Sequence, residues 1–215
     1  MSLKDGLISY WELEETSGDV IDSHGDNDGT NNGATRGVSG KIGNAYDFDG
    51  SDDEIDTTFD AGGQDEITVS AWIYPKSLTS DGWNYVISQE GDVGDRAFIL
   101  RIEDDNYIEW GINNNYITSN TQLETDKWYH LLVTYDGSYT KIYIDGSEDK
   151  SDSLSDGSLE TSPQKTVIGN GDYYTKRHFD GKIDEVGIWD RALSSSEISD
   201  LYNNGDGLAY DDFDG

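Results

Sequence analysis

Apolar residues recur at every second position along most of this chain, and this alternation is what most limits its fold. Val, Ile, Leu and aromatic residues alternate with polar residues in short runs, a pattern typical of strands with one buried face. Several runs are separated by Asp-Gly or Asn-Gly, which are preferred in tight turns. The sequence therefore predicts an all-β protein built from about a dozen short strands.

The predicted strands occupy residues 7–13, 44–48, 66–74, 85–88, 97–102, 107–112, 128–135, 140–144, 166–169 and 182–189. The strand at 66–74 is the most apolar and is expected to be central, and residues 136–139 are expected to form a hairpin loop. Residues 147–162 are polar and lack a period, which indicates an irregular edge or an excursion. This arrangement, without internal repeats, predicts a β-sandwich of two antiparallel sheets.

One short helix is predicted near the end of the chain. Ser194 is the expected N-cap, Glu197 completes a capping box, and Asn204-Gly205 ends the helix. A chain of 215 residues suits a single domain, which we place at residues 4–205. The Gly- and Asp-rich residues 206–215 are predicted to form an acidic flexible tail or linker.

The charge excludes several classes of partner. With 14 Lys and Arg against 45 Asp and Glu, the formal net charge is −31 at pH 7. Such a surface repels phosphate backbones and anionic lipids, so we expect neither nucleic-acid binding nor membrane insertion. Salt screens the repulsion between like charges, so the composition favours a protein adapted to a salty environment. The alternative is an extracellular domain that is acidic without being salt-adapted.

A polar loop at residues 20–30 combines Asp22, Asp26, Asn27 and Asp28 with two glycines. Calcium prefers this density of oxygen ligands on a flexible backbone. The EF-hand spacing is excluded, because Asn27 occupies the glycine position of that loop. The alternative is that the same aspartates accept hydrogen bonds from turn amides. The chain has no cysteine, so cation binding is the cross-link that remains available to it.

The sequence predicts no catalytic site. Glu54-Ile55-Asp56 begins a carboxylate run of the kind that glycosidases use, but Thr58 and Phe59 occupy the two positions where the last glutamate would stand. A solvated edge strand is the better interpretation of this segment. The three histidines fit no zinc spacing, and His130 is expected to be half-buried in its strand.

Aromatic residues outside the strand patterns are candidates for binding sugars. A flat ring beside amide or basic donors can bind a sugar through its apolar face and directed hydrogen bonds. Packing of these rings over the rim of the sandwich is the alternative. The candidate ligand-binding residues are Trp83, Tyr116, Tyr173, Tyr174 and Arg177. Arg177 follows Lys176, and two adjacent basic residues in so acidic a chain could bind an anionic sugar.

Ordered motifs from about residue 6 to 205 resemble the LamG-like jellyroll family of the concanavalin A-like superfamily. The resemblance rests on residues 6–11 (GLISYW), 22–30 (DSHGDNDGT), 40–45 (GKIGNA), 48–50 (FDG), 68–73 (TVSAWI), 128–130 (WYH), 133–137 (VTYDG), 168–169 (IG), 179–186 (FDGKIDEV) and 191–194 (RALS). It implies a jellyroll sandwich that is non-catalytic and is often appended to secreted enzymes, surface proteins or viral fibres. The fold serves several functions, so the resemblance is less informative about the ligand.

The resemblance also implies a structural Ca2+ ion close to Asp22 and Asp184. Glu185 stands where the family more commonly has aspartate. Together with the polar loop, this predicts a calcium site formed by Asp22, Asn27, Asp28, Asp184 and the carbonyl of Thr30, with that of Gly33 as an alternative.

The sequence thus predicts a calcium-stabilised, lectin-like carbohydrate-binding module. We expect an extracellular or surface location, with a glycan as partner and flanking domains of a larger surface protein or virion. The alternative is a structural or adhesion domain that offers a protein interface and binds no sugar.

Overall fold

The computed structural model describes residues 2–78, 82–91, 95–154, 157–171 and 177–214. The fifteen described strands form two antiparallel sheets, and one α-helix follows them. The strands are β1 (Leu7–Trp11), β2 (Gly29–Asn32), β3 (Thr35–Ser39), β4 (Asn44–Asp49), β5 (Glu54–Thr57), β6 (Ile67–Pro75), β7 (Asn84–Glu90), β8 (Arg96–Ile102), β9 (Tyr107–Ile112), β10 (Asn115–Gln122), β11 (Tyr129–Tyr135), β12 (Tyr139–Ile144), β13 (Ser147–Ser153), β14 (Val167–Ile168) and β15 (Asp180–Trp189). The predicted β-sandwich of two antiparallel sheets is confirmed.

The eight-stranded sheet has the order β13-β12-β11-β6-β15-β4-β3, and β1 also pairs with β15. The seven-stranded sheet has the order β10-β9-β8-β7-β14-β5-β2. Strand β6 lies between β11 and β15, which confirms its predicted central position. Most neighbours in these orders are distant in sequence, so the sheets close through long-range pairings.

The main core lies between the two sheets. Alternate side chains of the apolar strands point into it, including Trp11, Phe48, Phe98 and Trp110, and Phe179, directly before β15, also lies in it. The opposite faces carry the polar residues of these strands, as the period-two pattern requires. On the eight-stranded sheet, the opposite face also carries a second apolar cluster that includes Leu132, Tyr143 and Trp189. A charged side chain in an apolar strand therefore lies on the outer face of its sheet.

Strands β2, β3 and β10 lie where no strand was predicted. Each is at the edge of its sheet and contains mainly polar residues, so it carries little apolar alternation. Residues 147–162 contain the edge strand β13, in agreement with the irregular edge predicted there. Backbone pairing with a neighbour, which local pattern does not encode, defines these edge strands.

The helix α1 (Ser195–Tyr202) confirms the predicted capping box: Ser194 Oγ accepts from the Glu197 N–H, and the Glu197 carboxylate accepts from the Ser194 N–H at 2.8 Å. Its buried residues Ile198 and Leu201 pack on the outer face of the eight-stranded sheet.

The residues after the helix correct the prediction of a flexible tail at 206–215. Phe213 is buried and packs edge-on against Tyr10 at 5.0 Å between ring centroids, and the N-terminal Ser2 Oγ donates to its carbonyl at 3.1 Å. Three apolar residues in this segment, Leu208, Tyr210 and Phe213, give it a face to bury, although its acidic composition suggested solvent exposure. In the described part of the chain, no helix has the length and apolar character needed to cross a membrane.

Candidate functional site

The Asp22 carboxylate organises the polar loop through backbone hydrogen bonds. Its Oδ1 accepts from the N–H groups of Tyr10, His24 and Gly25 at 2.9–3.1 Å, and its Oδ2 accepts from Asn27 at 3.0 Å. Asp22 is buried. Three donors fill Oδ1 and one donor binds Oδ2, so Oδ2 is the oxygen of Asp22 that keeps a lone pair for a cation.

The other predicted loop ligands also serve local roles. Asp28 Oδ1 accepts from the Asp22 N–H at 2.9 Å, and the Asn27 side chain lies between Ser9 and Thr58. Thr30 is part of strand β2 and pairs with Asp56. These contacts match the alternative of hydrogen bonding to turn amides.

Asp184 lies in a separate network on β15. Its Oδ2 accepts from the N–H groups of Lys41 and Ile42 at 2.8 and 3.1 Å. Its Oδ1 is buried and has no hydrogen-bond partner among the described residues. The next residue, Glu185, is also buried, has φ 51°, and accepts from the Tyr10 hydroxyl at 2.6 Å. Two neighbouring carboxylates are thus buried together.

The environment of this pair disfavours two negative charges. Burial raises the pKa of Asp184 to about 8, although the N–H groups of Ile42 and Lys41 act in the opposite direction. Burial and then the charge of Asp184 raise the pKa of Glu185 to about 9. Glu14 lies close enough to raise both pKa values further. Such a pair needs protons or a cation.

A hard cation therefore fits the surroundings of Asp184 better than the polar loop. The orphaned Oδ1 and the Glu185 carboxylate offer oxygen ligands of the kind calcium prefers. Among the described residues, one group of three acidic side chains has ligand atoms within 4.8 Å of one another, and it consists of Asp49, Asp52 and Asp53. Asp49 and Asp53 in that group accept backbone N–H bonds, which a turn explains.

The most distinctive surface lies on the outer face of the seven-stranded sheet. We call it the arginine–aromatic platform, and it consists of Trp83, Tyr85, Glu90, Arg96, Arg101, Glu109, Tyr116 and Arg177. Arg101 is at its centre. The Arg101 guanidinium carbon lies 3.9 Å from the centroid of Trp83, and Nη1 donates to the Tyr85 hydroxyl at 2.8 Å.

Carboxylates from neighbouring strands hold the guanidinium groups in place. Arg101 forms an ion pair with Glu109, directly opposite on β9. Arg96 Nε and Nη2 both donate to Glu90, at 2.9 and 2.6 Å, and Arg177 forms an ion pair with the other oxygen of Glu90. Arg177 also lies 5.0 Å from the Trp83 ring. The predicted ligand residue Arg177 is thus a buried support for Trp83.

Two aromatic rings of the platform remain open to solvent. Trp83 is 37% exposed and Tyr116 is 40% exposed. Tyr116 lies across Gly111, where an added Cβ would be 2.5 Å from its ring, and Arg96 lies 5.5 Å from its centroid. The structure therefore brings together three of the five predicted ligand residues. Tyr173 and Tyr174 lie outside the described residues.

The family profile that matches this chain, over residues 49–199, is that of the concanavalin A-like lectin/glucanases superfamily. The match covers well over half of the chain. This protein belongs to that superfamily. A search of the curated proteins found no significant match.

Solved structures agree with this superfamily membership. Domain 4 of AbnA, an extracellular arabinanase from Geobacillus stearothermophilus solved with arabinotriose, is 22% identical, with a TM-score of 0.69 over 91% of this chain and 98% of that one. The receptor-binding domain of botulinum neurotoxin C/D is 19% identical, with a TM-score of 0.70 over 94% of this chain and 52% of that one. The Trypanosoma rangeli sialidase is 17% identical, with a TM-score of 0.75 over 95% of this chain and 34% of that one. The chain thus spans about half the neurotoxin domain, and at these identities the likeness establishes the fold.

Glu54 and Asp56 are the residues of this chain that correspond to the start of a glycosidase carboxylate run. Both lie on β5 at the outer face of the seven-stranded sheet, where Glu54 accepts from Asn170 at 2.6 Å and Asp56 accepts from Asn32 at 2.8 Å. Phe59 is buried in the main core, where the third carboxylate of such a run would be needed. The described residues around β5 therefore supply a hydrogen-bonded pair without the third carboxylate.

Sequence reasoning missed most of the buried layer of the platform. Arg101 interrupts the apolar run of β8, and Glu109 interrupts that of β9. Two opposite charges at non-core positions of consecutive strands could have indicated a paired cluster. The pairing of Arg96 and Arg177 with Glu90 has no such local signal.

Proposed function

We propose that this chain is a non-catalytic carbohydrate-binding module whose ligand lies on the arginine–aromatic platform. The observation that carries the proposal is the pair of solvent-exposed rings, Trp83 and Tyr116, held on the sheet by guanidinium groups. A sugar ring buries its C–H face on such a surface, while its hydroxyl groups take hydrogen bonds from the rim. Flat rings that are already fixed lose little conformational entropy when the ligand binds.

Structural relatives support a binding role. The arabinanase domain is described with arabinotriose and the sialidase with sialic acid derivatives, and the neurotoxin domain is named as receptor-binding. The same likenesses support an extracellular location and flanking domains of a larger protein, which are part of the proposal. The non-catalytic role is supported by the incomplete carboxylate set around Glu54 and Asp56.

The Trp83→Ala and Tyr116→Ala variants are each expected to bind glycan about 5- to 150-fold more weakly than wild type, because loss of a stacking ring costs about 1–3 kcal/mol by analogy with nucleobases. The ligand is first chosen from a glycan array, and affinity is then measured by calorimetry. The same incubations should release no reducing ends.

Tyr139→Ala is the matched control for this experiment. Tyr139 is 52% exposed and lies on β12 of the other sheet, so its removal should leave affinity unchanged. Absence of binding to every glycan would favour the structural or adhesion domain. An equal loss in the Tyr139 variant would place the ligand elsewhere.

We further propose that calcium stabilises the module and that it binds at Asp184 and Glu185. Asp22 in the polar loop already accepts four N–H hydrogen bonds, whereas Asp184 Oδ1 is buried and has no hydrogen-bond partner among the described residues. A cation there would compensate two buried charges and would connect β15 to the loop at Lys41 and Ile42.

Adaptation to salt is the last part of the proposal. With 45 acidic and 14 basic residues, carboxylates outnumber basic side chains by 31. The melting temperature is expected to rise between 0.1 and 2 M KCl, because the Debye length falls from about 10 Å at 0.1 M to about 3 Å at 1 M. Calorimetric scans would measure it, and a flat profile would contradict salt adaptation.

A further inference from the structure

A buried glutamine and a buried threonine face each other at one end of the main core. Gln89 lies on β7 and Thr166 directly precedes β14, one position beyond the last pair that these two strands form. Gln89 is paired with Phe98 of the main core, so its side chain points between the two sheets. Gln89 and Thr166 are both 0% exposed. Water is therefore excluded from the contact between them.

The side-chain amide of Gln89 is hydrogen-bonded at both its oxygen and its nitrogen. Oε1 accepts the N–H of Ala61 at 2.7 Å. Nε2 donates to Asp60 Oδ1 at 2.8 Å and to the Gln164 carbonyl at 3.0 Å. A donor at the oxygen stabilises negative charge there, and acceptors at the nitrogen stabilise positive charge there. These are the charges that develop when a nucleophile adds to an amide and the nitrogen takes up a proton.

The hydroxyl group of Thr166 is held against this amide. Its Oγ1 donates to Gln89 Oε1 at 3.3 Å. The backbone of Thr166 is fixed as well, because its N–H donates to the Phe59 carbonyl at 3.0 Å and its carbonyl accepts from Thr57 Oγ1 at 2.7 Å. The hydroxyl and the amide therefore stay together for as long as the chain is folded, which raises their effective concentration.

We propose that Thr166 and Gln89 condense to an intramolecular ester, a modification that is independent of glycan binding. Thr166 Oγ1 forms a bond to Gln89 Cδ, the Cδ–Nε2 bond breaks, and its electron pair leaves on the nitrogen, which takes the hydroxyl proton and departs as ammonia. Asp60 stabilises the departing nitrogen through its hydrogen bond, and it is exposed, so ammonia can reach solvent on that side. The ester is a covalent cross-link in a chain without cysteine.

Intact-mass spectrometry of the full chain tests the ester, because loss of ammonia lowers the mass by about 17 Da. The folded protein, incubated until its mass is constant, is expected to show this loss. A tryptic digest should contain residues 77–96 joined to residues 166–176. The Thr166→Val variant lacks the hydroxyl and should keep its full mass, whereas Thr166→Ser retains a hydroxyl and should lose ammonia again.

Thr140→Val is the matched control, because Thr140 is also buried but lies on β12 of the other sheet, where its hydroxyl donates to the Thr134 carbonyl at 3.2 Å. It should lose ammonia as the wild type does. Melting curves verify that all variants fold. Succinimide formation at an Asn-Gly pair also releases ammonia, but that loss would persist in Thr166→Val and give no linked peptides. A wild-type chain that keeps its full mass, or a loss that persists in Thr166→Val, would overturn the inference.

Discussion

In EDTA, the free energy of unfolding should fall by about 3 to 4 kcal/mol between pH 7 and pH 9, because Asp184 and Glu185 must ionise while buried. Both carboxyls bind protons more tightly in the folded chain than in the unfolded one. Their contribution is therefore complete below the unfolded pKa values near 4, and it is lost as pH rises through about 8 and 9. Urea unfolding at fixed ionic strength measures the change.

The window also lies above the pH range in which the buried His130 affects stability. Burial lowers the pKa of His130 to about 3, so it is neutral in both states above its ordinary value of about 6.5 and affects stability only under more acidic conditions. His130 is buried, whereas the sequence predicted that it would be half-buried.

The Asp184→Asn, Glu185→Gln double variant should show little pH dependence between pH 7 and 9, whereas Asp26→Asn, an exposed change in the polar loop, should behave as wild type. Calcium at 5 mM should also flatten the wild-type profile, because the cation replaces the protons on the same oxygens. A profile that remains steep in calcium would contradict the proposed calcium site. A flat profile in EDTA would contradict the raised pKa values themselves.

The second large effect is expected at Asp22. The Asp22→Ala variant should lose about 3 to 5 kcal/mol of stability, because four backbone N–H groups lose a charged acceptor inside a buried loop. The loss should be the same in EDTA and in 5 mM calcium if the four N–H hydrogen bonds, and not a cation, account for the role of Asp22. Chemical unfolding under both conditions measures it.

Asp26→Ala is the control for Asp22→Ala, because Asp26 belongs to the same loop but is exposed. Its effect should stay within about 0.5 kcal/mol. If the Asp22 variant loses stability only when calcium is present, Asp22 is a calcium ligand and the hydrogen-bonded interpretation of the loop is wrong.

Local sequence determined the elements of this protein that depend on interactions between residues close together in the chain. Alternation of apolar residues placed the core strands, because side chains of a strand point to opposite faces in turn. The capping box of Ser194 and Glu197 set the start of the helix, because both of its hydrogen bonds lie within four residues. The hairpin at 136–139 formed as predicted, with Asp136 accepting from Ser138 and Tyr139.

The candidate sites depended on contacts that no local pattern encodes. Sequence identified Trp83, Tyr116 and Arg177 as separate surface features, yet the platform exists because β7, β8, β9 and β10 pair side by side and a distant segment contributes Arg177. The same holds for the acidic residues. The sequence predicts Asp22 as a cation ligand because its neighbours carry oxygens, and it gives no sign that the folded loop turns its amides towards this carboxylate.

What the sequence by itself determined is the sandwich architecture, the acidic surface and the helix cap, since periodicity, composition and capping act over a few residues. The tertiary structure alone decided which charges compensate one another. Asp184 meets the amides of Lys41 and Ile42 across more than 140 residues, and Glu90 meets Arg177 across 87. Burial and pairing fix the energy of a charge, and both are properties of the assembled sheets.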